Sequence, residues 1–123
     1  MKILITLLAL APLASMANTC LNELEYKSLY QIEESKEFVI ETEGWVTDLT
    51  DEIFAPFEEE GFERSDCQKA IYMSEFRGPS QTDYRAYYTY EDSCDGGNSH
   101  GYVLDVKTNK IIADIGDSEI ICK

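Results

Sequence analysis

The sequence predicts an α+β fold: one N-terminal helix packed on an antiparallel sheet of four or five strands, held by two disulfides. Three observations lead there. A helical pattern comes first in the chain; runs rich in aromatic and β-branched residues follow it, separated by turn clusters; and four cysteines are spread across a segment the size of one small domain. So few strands do not make an all-β sandwich.

Residues 1–17 are set apart as a secretory signal peptide. Lys2 supplies a positive start, Ile3 to Leu13 are apolar apart from Thr6 and Pro12, and Ser15-Met16-Ala17 offers the small residues of a cleavage site. The apolar run of roughly 11 residues is too short to span a bilayer, which takes ~20. Residues 18–123 then form a single disulfide-stabilised α+β domain, with export to the periplasm as the expected localisation.

Leu21, Leu24, Leu29 and Ile32 share one apolar face, which predicts a helix over Leu21–Glu34, with Glu23 and Glu25 early as a helix start prefers. Phe38-Val39-Ile40-Glu41-Thr42 reads as a strand ending near Gly44-Trp45, and the single tryptophan is expected to anchor the core. Thr50 to Phe54 opens like a short helix, with Pro56 inside it and Gly61 as its stop. Ile53, Phe54 and Phe57 lie on one face there, and Glu58-Glu59-Glu60 on the solvated one. Phe62 to Asp66 reads as a connection.

Ala70 to Phe76 is a strand, Arg77-Gly78-Pro79-Ser80-Gln81 a turn, and Tyr84 to Tyr90 a second strand whose Tyr84, Ala86, Tyr88 and Tyr90 share one face. A glycine-rich loop from Cys94 to Gly101 follows. Beyond it Tyr102, Leu104 and Val106 face one way, Val103 and Asp105 the other. Lys107-Thr108-Asn109-Lys110 turns the chain into a hairpin with Ile111 to Ile115. Glu119 to Cys122 is a short final segment.

The four cysteines, Cys20, Cys67, Cys94 and Cys122, allow three connectivities, and an exported domain of this size expects two bridges. Cys94–Cys122, which brackets the last hairpin, and Cys20–Cys67, which ties the first helix to the middle, are the preferred pairs. A zinc site finds no support, since there is no C-x-x-C and one histidine.

Ten basic residues stand against 24 acidic ones, a formal net charge of −14. Such a field repels nucleic acid and anionic lipid and steers cationic partners inward. The same acidity also serves solubility, so it excludes a nucleic-acid binder more firmly than it proves a basic target.

Catalytic chemistry finds little footing. His100 is the sole candidate base, its neighbour Ser99 points away from it on an extended chain, and no G-x-S-x-G is present. Asp92, Asp95 and Asn98 carry oxygen ligands at i, i+3 and i+6 but lack the alternate spacing of an EF-hand loop. Their plain reading is a loop in which Gly96-Gly97 and Asn98 take positive φ. No cofactor and no metal are expected, and the chain is read as a non-enzyme.

The layout of export signal, small acidic α+β domain and two disulfides resembles the exported periplasmic inhibitors. These comprise bacterial lysozyme inhibitors and the immunity proteins that neutralise toxins delivered between bacteria. One lysozyme-inhibitor family plugs its enzyme's cleft with a disulfide-bounded loop carrying a histidine, and Cys94–Gly101 is similar in kind, although no second cysteine closes it nearby. The resemblance implies a periplasmic protein that neutralises an enzyme, an immunity protein first. A lysozyme inhibitor or a non-enzymatic envelope-associated structural module is the alternative. The implied partner is a basic hydrolase or toxin effector, and Asp95, Asn98, Ser99 and His100 are the candidate partner-binding residues.

Overall fold

The computed structural model describes residues 20–89, 94 and 98–123. The signal-peptide expectation falls on residues outside this set, as do Tyr90, Asp92, Asp95, Gly96 and Gly97. Six antiparallel strands form one meander in the order β1 (Val39–Trp45), β2 (Ile71–Arg77), β3 (Asp83–Thr89), β4 (Gly101–Asp105), β5 (Lys110–Gly116) and β6 (Glu119–Cys122). The sixth strand is the segment expected only as a short tail; it pairs with β5 from Ala113↔Cys122 to Gly116↔Glu119.

Every position of β4 is buried, which requires cover on both faces of the sheet. Strand alternation sends Tyr84, Ala86, Tyr88, Val103, Ala113 and Ile115 to one side, where they pack with Leu24, Ile32 and Phe38. It sends Ile71, Tyr102 and Leu104 to the other, where they meet Leu49, Phe54 and Phe57. The expectation of a helix on one side of the sheet is therefore corrected. The first side carries α1 (Leu21–Leu24) and α2 (Leu29–Glu34), and the second carries α3 (Asp51–Glu59) and α4 (Arg64–Cys67). Phe62 to Asp66, read as plain connection, contains the start of α4.

The single helix predicted over Leu21–Glu34 is two short ones. Tyr26 takes φ 63° between them. Its N–H donates to Ile120 O at 2.7 Å, and Ile120 N–H donates to Lys27 O at 2.9 Å. The break thus lines the outer edge of β6, giving it partners for its backbone groups. Ser28 restarts the helix with a capping box: its hydroxyl accepts from Gln31 N, and the Gln31 side chain accepts from Ser28 N.

α3 forms as the sequence implies. Thr50 Oγ1 accepts from Ile53 N at 3.2 Å, with Asp51 and Glu52 in the first turn. At its end Gly61 (φ 97°) donates to Glu58 O and Phe62 N–H reaches back to Phe57 O. The Phe57 and Phe62 rings meet at 6.1 Å, completing a Schellman motif with its hydrophobic contact.

The disulfides are Cys20–Cys122 and Cys67–Cys94, not the preferred pairs. The reason is the second layer. Cys20 and Cys122 belong to the core under α1 and α2, and Cys67 and Cys94 to the core under α3 and α4. With the sheet between the two cores, Cys94–Cys122 and Cys20–Cys67 would each have to cross it. Disulfides of this kind persist in oxidising, extracytoplasmic settings. Among the described residues no helix is long and apolar enough to cross a membrane.

Candidate functional site

Of the four candidate contact residues, Asp95 lies outside the described residues. Asn98, Ser99 and His100 are held at the start of β4 by three tethers. Thr89, fully buried on β3, accepts from His100 N at 2.9 Å. The β5–β6 turn contributes Ser118, whose N–H donates to Ser99 O at 3.0 Å and whose hydroxyl accepts from Ser99 N at 3.2 Å. Asn98 Nδ2 donates to Asp117 Oδ1 at 3.4 Å.

Strand alternation then divides the group. His100 turns toward the α3–α4 side, its ring 5.9 Å from Phe62, its Nδ1 3.1 Å from Asn98 O and its Nε2 3.9 Å from Asp117 Oδ1. Ser99 turns the opposite way and lines a cavity against α2. Ser99 and His100 therefore do not meet as a nucleophile and base, and they face opposite sides of the sheet.

Two cavities flank the sheet. The one on the α3 side, about 150 Å³, is walled by Ile53, Arg85, Tyr87, Tyr102 and Leu104. Two of its polar groups are engaged by the chain itself: Arg85 donates to Glu75 at 2.6 Å, and the Tyr102 hydroxyl donates to Ile53 O at 2.8 Å. Burial pushes the Tyr102 phenol above its ordinary range.

The cavity on the α2 side, about 200 Å³, is lined by Ser28, Leu29, Tyr30, Glu33, Tyr88, Ser99 and Ser118. Its Tyr88 wall is the end of an aromatic row. Trp45 on β1, Tyr72 on β2 and Tyr88 on β3 are consecutive cross-strand partners. Trp45 meets Tyr72 edge-on at 5.1 Å, and Tyr72 meets Tyr88 at 5.8 Å. Tyr30 and Trp45, at the two ends of the patch, are 69% and 51% exposed. The expectation that Trp45 anchors the core is corrected: it sits at the end of a terminal strand, and only one strand flanks it.

Acid surrounds the aromatic row. Tyr72 Oη donates to Glu43 Oε1 at 3.3 Å. The Glu33 carboxyl is raised above its ordinary value, first by loss of water and then by the charges of Glu43 and Glu34. Among the described residues, no lysine or arginine stands within ion-pair distance of Glu33 or Glu43. The surface therefore combines the exposed rings of Trp45 and Tyr30, the half-buried Tyr72, hydroxyls and negative charge not offset nearby, a chemistry that suits a cation carried on an apolar stem.

Sequence reasoning missed Tyr30, Glu33, Glu43 and Tyr88 as one group. The ring-bearing positions were visible, but the register that aligns three of them was not. Among the described residues no group of three or more His, Cys, Asp or Glu side chains is placed to hold a metal ion; Asp92 and Asp95, weighed with Asn98 as oxygen ligands, lie outside them. Comparison with known proteins gives no match: no family model, no curated protein and no solved structure is significantly similar to the chain.

Proposed function

We propose that this chain is a periplasmic binding protein that neutralises a basic enzyme, as an immunity protein does for an antibacterial toxin. The observation that carries the reading is the acidic aromatic patch formed by Trp45, Tyr72, Tyr88, Tyr30, Glu33 and Glu43. Exposed rings such as those of Trp45 and Tyr30, backed by the half-buried Tyr72 and buried Tyr88 and set in a polar rim, are what protein interfaces use as anchors. A net charge of −14 draws a cationic enzyme in, and the rings then hold it. Ser99 lines this patch while His100 lies on the far side of the sheet. Within the described part of the loop, Ser99 is accordingly one wall of the proposed contact surface and His100 lies outside it.

The test is inhibition and protection. The mature chain is assayed against a panel of purified cationic peptidoglycan hydrolases and periplasmically targeted toxins, and in cells that co-express each toxin. The expected result is dose-dependent inhibition of at least one basic member and protection of its host. That effect should be lost in a Trp45→Ala/Tyr30→Ala variant and retained in an Asn98→Ala/His100→Ala variant. No inhibition or protection across the panel overturns the reading. Loss of effect in the loop variant alone moves the contact to the loop and overturns the patch.

A further inference from the structure

We propose that the cavity between α2 and the sheet is a receptor for an arginine side chain, its guanidinium stacked on Tyr88 and Tyr30 and paired with Glu33. The partner that would carry this arginine rests on the function proposed above; the guanidinium site does not.

Size comes first. A cavity of about 150 Å³ already holds a benzene-sized molecule, and this one is about 200 Å³. Shape and lining come next. Tyr88 forms a buried wall, and exposed Tyr30 lines the cavity from α2. A planar cation with apolar methylenes behind it stacks on ring faces in a way that a hydrated ammonium does less well. The remaining lining is rich in acceptors. Glu33 contributes a carboxylate, and Ser28, Ser99 and Ser118 contribute hydroxyls, those of Ser28 and Ser118 each already accepting one backbone N–H and keeping a second lone pair. Guanidinium carries five donors in a plane and needs several acceptors at once, whereas a carboxylate or phosphate ligand would meet repulsion here.

Charge completes the argument. Loss of water weighs most against the ionised form of Glu33, and the like charges of Glu43 and Glu34 add to it. A guanidinium beside Glu33 offsets those like charges.

The experiment titrates the oxidised mature chain with N-acetyl-arginine amide at low ionic strength, following backbone amide shifts and Trp45 fluorescence. N-acetyl-lysine amide and the neutral N-acetyl-citrulline amide serve as comparisons. Saturable shifts centred on Tyr30, Glu33, Tyr88 and Ser99 are expected for the arginine probe, with citrulline at least about tenfold weaker. Glu33→Gln and Tyr30→Ala, both at exposed positions and checked by thermal melts, should each weaken the arginine probe severalfold. Equal binding of citrulline, shifts scattered over the acidic surface, or wild-type affinity in Glu33→Gln overturns the site. Lysine binding as tightly as arginine overturns the guanidinium assignment. If the probe does not bind yet a basic hydrolase is still inhibited, this site falls and the neutralising function stands. If the probe binds and no hydrolase is inhibited, the reverse holds.

Discussion

At Gly101, the first residue of β4, there is no room for a side chain. A Cβ built there would lie 1.9 Å from Tyr87 O and 2.7 Å from Tyr88 Cα, both backbone atoms that cannot rotate away. Gly101→Ala should therefore lower stability by about 2–3 kcal/mol, the range of overpacking that forces backbone shifts. Thermal melts read this as a fall of roughly 8–20 °C in a domain of this size. In the sequence Gly101 is one more glycine of a flexible-looking loop, and nothing local distinguishes close backbone approach from turn flexibility. Glu60 makes a second point at this scale. Its carboxyl is raised by loss of water and by Asp114, against smaller lowering from His100 and Lys123. A folded-state value above the unfolded one means that its favourable contribution is full below the ordinary carboxylate range and is lost as pH rises through the folded value. Glu60→Gln should therefore raise the melting temperature at pH 7, and the gain should vanish near pH 4, below the ordinary value of 4.5. A gain of equal size at both pH values would refute the electrostatic cause.

Among the elements, the helices differ most between sequence and structure, for two separate reasons. The start of α2 was missed inside the single predicted helix, although Ser28-Leu29-Tyr30-Gln31 has the capping-box pattern and its reciprocal hydrogen bonds form. Ser28→Ala should cost about 1 kcal/mol, measured by urea unfolding with an unchanged m-value. The end of α1 is not legible, because Tyr26 and Lys27 leave the helix to pair with β6, far along the chain. Strands fare better: alternation and turn residues placed β2, β3, β4 and β5 within a residue or two. Cysteine pairing was beyond reach, because it depends on which face each cysteine occupies. By the loop-entropy relation, the Cys20–Cys122 bridge, with a separation of 102 residues, contributes more than Cys67–Cys94, with 27. The estimates are about 4.7 and about 3.6 kcal/mol. A Cys20→Ala/Cys122→Ala variant should therefore unfold at lower urea than Cys67→Ala/Cys94→Ala. The reverse order would show that the α3–α4 layer depends on its bridge more than chain entropy implies.

For the molecule as a whole, one sheet divides two small cores, and a large negative charge surrounds both. The charge was fully legible and the fold class largely so. The candidate surface was not, because it exists only once β1, β2 and β3 align Trp45, Tyr72 and Tyr88 and α2 brings Tyr30 and Glu33 beside them. The charge also links stability to recognition with opposite signs. Self-repulsion among 24 acidic residues opposes the folded state, and added salt screens it, since the Debye length falls to about 10 Å at 0.1 M. Raising sodium chloride from about 20 mM to about 300 mM should therefore raise the melting temperature. The same screening removes the attraction that steers a cationic enzyme inward, so the association rate with a basic partner should fall over that range, by roughly tenfold or more, while dissociation, governed by the ring contacts, changes little. Stopped-flow association and thermal melts on one salt series separate the terms. If salt slowed association and also lowered the melting temperature, specific ion pairs and not net repulsion would dominate the folded state. The ion pairs argue against that: those of Asp51 and Lys123 lie at exposed positions and those of Arg77 at a half-exposed one, where such contacts contribute little, and Arg85–Glu75 is the more buried exception.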